Sequence, residues 1–202
     1  MQHPVLIIII AFCVFFKFWI GRKPKSDPDA DFMELERKAN LTPRKAISNL
    51  PYISVPVDSL PLDVPMDREE VRDRQEIIRS MADKKVLNLT GRTNTDLKLE
   101  YGAPNINILS AADNNYTRLV QNLSYLATDY INAGHISEAK ALLEYGVSIG
   151  TDSKKNYLSL AQIYKDEGHP EKISELISSA DGIQSILKEN IKLSLKEMEG
   201  SE

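Results

Sequence analysis

Residues 123–143 read LSYLATDYINAGHISEAKALL, and residues 157–177 read YLSLAQIYKDEGHPEKISELI. Laid over each other at a shift of 34 residues, they align Leu126-Ala127 with Leu160-Ala161, Tyr130 with Tyr164, and Gly134-His135 with Gly168-His169. Leu123, Ala139 and Leu143 meet Tyr157, Ile173 and Ile177, so the other matched positions keep apolar character. Self-similarity at such a period marks stacked helical units. In each copy Leu-Ala and then Tyr build one face of a first helix at helical spacing. Glycine follows as a helix stop, because it alone accepts positive φ without strain. The apolar residues beyond it belong to a second helix that packs back on the first.

Working outward, residues 183–198 (IQSILKENIKLSLKEM) carry a stripe of Ile186, Leu187, Ile191 and Leu195 on an otherwise polar segment, the pattern of a terminal helix with one solvent-facing side. On the other side, residues 67–70 (DREE) have the form of a capping box and predict a helix to about Leu87, with Val71, Ile77, Ile78 and Met81 as its stripe. Between them, residues 88–110 contain TGRTN at 90–94 and YGAPN at 101–105, which is turn chemistry and predicts a long loop. Residues 26–66 hold six of the ten prolines and form a Pro-rich linker, with one short helix expected at 42–47. Ordinary linkers are polar. This one carries Tyr52, Ile53, Val55, Val57, Leu60, Leu62 and Val64, so residues 50–66 are expected to dock on the helical part.

The N-terminus reads differently. Residues 4–20 (PVLIIIIAFCVFFKFWI) hold a single charge, Lys17, and as a helix would reach about 25 Å, the short end of what crosses a bilayer. Trp19 stands where an interfacial aromatic belongs, and RKPK at 22–25 follows at once. The positive-inside rule then predicts a single-pass anchor in the cell membrane over residues 4–20, N-terminus outside and the body cytoplasmic. A cleaved or lipoprotein signal fits less well, since no basic residue precedes the apolar run.

The repeat pattern resembles the tetratricopeptide repeat. That family's consensus of large apolar residue, Leu-Gly/Ala, Tyr, Gly, Ala and a closing apolar residue falls on Leu123, Leu126-Ala127, Tyr130, Gly134, Ala139 and Leu143, and again 34 residues on. Gly146 and Ile173 depart from it. The resemblance implies an all-α fold of tetratricopeptide-like helical repeats, with repeats at about 120–153 and 154–187 inside a helical domain 67–199 and flanking helices at both ends. With the anchor, it implies a membrane-anchored repeat protein of bacterial type. It also implies a concave groove lined by first-helix residues: Gln121, Ser124, Tyr125, Thr128 and Ile131, then Lys155, Leu158, Ser159, Gln162 and Lys165. Relatives that clamp a partner's C-terminal carboxylate use several basic residues, of which only Lys155 and Lys165 are found here. An extended peptide, the chain's own Pro-rich segment included, suits the mixed groove, with Tyr125 and Leu158 as apolar contacts.

Composition limits the rest. One cysteine excludes a disulfide framework, and three histidines and nine glycines leave little for a metal centre or a phosphate loop. His135 and His169 occupy equivalent places in successive repeats, about 10 Å apart, too far to share one ion. Net charge is −4 for the chain but −8 beyond residue 25, which argues against nucleic acid as a partner. No catalytic constellation and no cofactor are implied. The expected function is a membrane-tethered protein–protein interaction module. The alternative is an exported or lipid-anchored repeat domain serving as a folding helper or envelope assembly factor.

Overall fold

Gly134 and Gly168 stop their helices by the same pair of hydrogen bonds. In the computed structural model, which describes residues 12, 15–17 and 28–200, they stand at φ 86° and 78°. The amides of His135 and His169 donate to the carbonyls of Tyr130 and Tyr164 at 2.8 Å each, and those of Gly134 and Gly168 to Ile131 and Lys165 at 3.1 and 3.0 Å. Two amides just past the helix end thus satisfy its last free carbonyls. The period of the sequence is present in the backbone.

The regular secondary structure of the described residues is helical, with no strand among them. In order they form α1 (Pro28–Asn40), α2 (Glu69–Arg79), α3 (Asn94–Tyr101), a 3-10 turn (Ala103–Asn105), α4 (Ile106–Ala133), α5 (Ile136–Ser148), α6 (Lys154–Asp166), α7 (Lys172–Ala180) and α8 (Lys188–Glu199). Each helix from α4 to α7 packs on the next, α8 closes on α6 and α7, and α2 packs on α4. One core runs through the pairs: Leu123, Leu126, Ala127 and Tyr130 of α4, Ala139, Leu142 and Leu143 of α5, Tyr157, Leu160 and Ala161 of α6, and Ile173 and Leu176 of α7. Gly146 departs from the repeat pattern for a packing reason. A Cβ there would lie 2.9 Å from the side-chain oxygen of Asn156, a buried residue whose amide donates to Leu143 O at 2.9 Å.

The Pro-rich segment is docked, as its aliphatic content predicts. Leu62 and Val55 are buried in the main core, with Ile53, Val57, Leu60 and Val64 packed against it. Burying a Leu side chain contributes about 1.5–3 kcal/mol. The extended backbone finds its partners on neighbouring elements. The Tyr130 hydroxyl donates to Pro61 O and accepts from Gln75 Nε2, both at 2.8 Å. Gln75 Nε2 also donates to Val64 O at 2.9 Å, Arg79 Nη2 to Leu62 O at 2.7 Å, and the Ile53 amide to Val86 O at 2.8 Å.

Several expectations are corrected. Residues 42–47 are not helical. Thr42 closes α1 by donating to Lys38 O at 3.0 Å, and Lys45 N bonds Tyr101 O at 3.0 Å. That pairing is worth more than a short isolated helix, whose nucleation is costly. Residues 28–40 of the expected linker form α1, joined to α3 through Glu36, which accepts from Thr95 and, at 3.1 Å, from Lys98. Those two hydrogen bonds hold the Glu36 carboxyl below its ordinary range. The Asp67 capping box does not form: Arg68 is the N-cap of α2 without a side-chain bond, and the helix ends at Arg79, since residues 80–84 close in turns. The reciprocal box belongs to Thr93 and Asp96, so the expected loop 88–110 instead holds α3, the 3-10 turn and the start of α4. With Ile47 and Leu87, their Leu97, Leu109 and Ala112 make a second core. At the other end Ile191 and Leu195 are buried, but Ile186, 98% exposed, and Leu187 lie in the turn before α8, off its buried face.

The expected membrane anchor is also corrected. Among the described residues no helix is long and apolar enough to cross a membrane, which leaves the single-pass topology, the membrane contact and the cell-membrane localisation without support. Apart from Phe12, Phe15, Phe16 and Lys17, the span 4–20 lies outside the described residues.

Candidate functional site

The two repeats meet around a cleft of about 440 Å³ between α4 and the start of α6. Tyr116, Thr117, Val120, Gln121, Ser124 and Tyr125 of α4 form one wall. Thr151, Asp152, Ser153 and Lys155 form the other, and Thr90 closes one side. The α6 wall is fixed by Ser153, whose hydroxyl accepts from the Asn156 amide at 3.3 Å as an N-cap. The Thr90 loop is held by Asn88, whose side-chain amide donates to the Tyr116 hydroxyl at 2.9 Å and to Gly150 O at 3.2 Å. It also abuts the segment before α8: Gly91 stands at φ 83°, and a Cβ there would lie 2.2 Å from Gln184 O.

Tyr125 is the most accessible aromatic of the cleft, 52% exposed. Two cations from different helices approach its ring, Arg74 of α2 at 5.4 Å and Lys155 of α6 at 6.0 Å from the centroid. Arg74 is oriented by Asp129, a nearly buried carboxylate that also meets Arg68 at 3.2 Å. Deeper in, burial and then the Asp152 carboxylate raise the Tyr116 phenol. The same two causes, in that order, push Tyr157 up to about 12. The Tyr157 hydroxyl is buried without a hydrogen-bond partner among the described residues.

Of the residues expected to line a groove, Gln121, Ser124, Tyr125 and Lys155 come together in this cleft. The others do not line it. Thr128 donates to Ser124 O at 2.8 Å. Ile131 and Leu158 pack against the core. Ser159 is half-buried, Gln162 donates to Asp166 at 2.8 Å, and Lys165 is taken up by α8 through Met198 O at 3.1 Å. None of residues 50–66 lines the cleft, so the chain's own Pro-rich segment is not its occupant. Thr117 and Val120 lie one turn before Gln121 and Ser124 respectively, and a longer first helix would have pointed to them. Thr90, Thr151, Asp152 and Ser153 arrive through loops, for which the repeat pattern carries no signal.

Among the described residues no group of three or more His, Cys, Asp or Glu side chains is placed to hold a metal ion. The fold and the cleft together define a class, an all-helical protein built from packed helix pairs. A scan of protein-family models finds no match to the chain, and searches of curated proteins and of solved structures find none either.

Proposed function

We propose that the chain is a tetratricopeptide-like repeat module that binds an extended segment of a partner protein in the cleft between α4 and α6. The observation that carries this reading is the convergence of Gln121, Ser124, Tyr125 and Lys155, first-helix residues of successive helix pairs, on one open and mixed polar–aromatic surface. Hydroxyl and amide side chains there serve a backbone whose own groups are unpaired, and the exposed ring of Tyr125 serves an apolar side chain. The rigid walls supply the pre-organisation that lowers the entropic cost of ordering a flexible segment.

A photoreactive amino acid in place of Gln121 tests it. A discrete adduct with a partner protein, diminished by Lys155→Glu, is expected. The same group in place of the exposed Ser178 on α7 is expected to give none. Equal adducts from both positions would overturn the reading.

A further inference from the structure

Resting on that reading, we infer that the partner segment is acidic and that an acidic side chain of it is held beside Tyr125 by Lys155 and Arg74. The domain as a whole is acidic, at −8 for residues 26–202, yet the groups gathered at Tyr125 are cationic. At the ring itself these are Arg74 and Lys155, and the Asp129 carboxylate on Arg74 is shared with Arg68. Asp152 is the one carboxylate among the lining residues.

The placement of Lys155 is informative because it works against its own helix. The first turn of α6 has no acidic residue and carries Lys154 and Lys155, where positive charge opposes the partial charge of a helix N-terminus. Lys154 has a structural partner, Asn190 of α8, at 2.8 Å. Lys155 is exposed and faces the Tyr125 ring. A carboxylate arriving there meets an ammonium, a guanidinium already fixed in place by Asp129, and the phenol hydroxyl, all donors to an anion. A basic segment would meet repulsion at the same point, so the cleft discriminates by charge.

The test uses three short peptides, acetylated and amidated so that no chain-terminal charge contributes. They share Leu and Pro positions and carry Glu, Gln or Lys elsewhere. Each is titrated into the isotope-labelled protein while the amides of Ser124, Tyr125, Thr151 and Lys155 are followed by NMR. The Glu peptide is expected to bind at least about tenfold tighter than the Lys peptide and to weaken with added salt. Lys155→Glu is expected to reverse that order, and Asp152→Asn to tighten Glu-peptide binding about threefold. Equal shifts from all three peptides would overturn the acidic preference and leave peptide binding standing. If no peptide moves these amides, both readings fall.

Discussion

The two helix pairs share a sequence signature but differ in how firmly they are built. The α4 and α5 helices are separated only by Gly134 and His135, whereas five residues, 167–171, separate α6 from α7. The cause is Pro170. A residue preceding proline is driven from the helical region, and α7 begins through three-residue turn bonds, Lys172 N to His169 O at 3.2 Å and Ile173 N to Pro170 O at 3.0 Å. The far ends differ as well. The α5 helix stops on Gly150 at φ 76°, by the same kind of bond pair as at Gly134: Thr151 N to Gly146 O and Gly150 N to Val147 O. The nine-residue α7 instead unwinds through successive turn bonds into the segment that leaves Ile186 exposed. A repeat pattern therefore specifies the first helix and its stop. The second helix depends on its neighbours, and the first pair has more of them: α2, the Pro-rich segment and α6.

The largest test of this difference is paired truncation. Leu126→Ala and Leu160→Ala remove the same buried side chain at equivalent positions, and each is expected to cost within about 2–5 kcal/mol. Denaturant unfolding should place Leu126→Ala at the upper end, because its surroundings are tied on more sides. Next in size is Gly146→Ala, which forces the buried Asn156 to shift and is expected to destabilise by about 1–3 kcal/mol. The smallest effect sharpens the comparison by its equality. Around Gly134 and Gly168 a Cβ would meet nothing within 4 Å, so alanine at either costs only the left-handed backbone, about 1–2 kcal/mol. Unequal melting shifts for these two variants would show that the stops are not equivalent.

What could be read from the sequence follows the range of the forces involved. The helix stops, the first-helix faces and the docking of residues 50–66 were legible because glycine, periodicity and aliphatic content act locally. The Asp67 box misled because the same pattern suits a chain entering a helix from an extended segment, and the real box at Thr93 was hidden among turn residues. The α1 helix was overlooked although Asp29 and Asp31 open it and Arg37 and Lys38 close it as the helix dipole favours; among its residues Ala39 is fully buried, whereas Phe32 and Met33 are exposed. In the cleft, Gln121, Ser124, Tyr125 and Lys155 followed from the repeat register. Arg74, Thr90 and Asp152 reach it through tertiary packing, which no local pattern encodes. Lys165 and Gln162 lie outside the cleft, where α8 and the neighbouring Asp166 take them up.

The docked Pro-rich segment and the Asn88 loop also change how the molecule comes apart. In an open array of repeats each unit touches only its neighbours, and the array can unravel from either end. Here Tyr130 reaches Pro61 across 69 residues, Asn88 reaches Gly150 across 62, and Arg44 reaches Asn105 across 61. Contacts so distant along the chain slow the search for the native topology, and they tie the segments before the helix pairs to the pairs themselves. The helix pairs are therefore expected to lose their independence and to unfold together, and removing residues 50–81 would take away part of the core that they share.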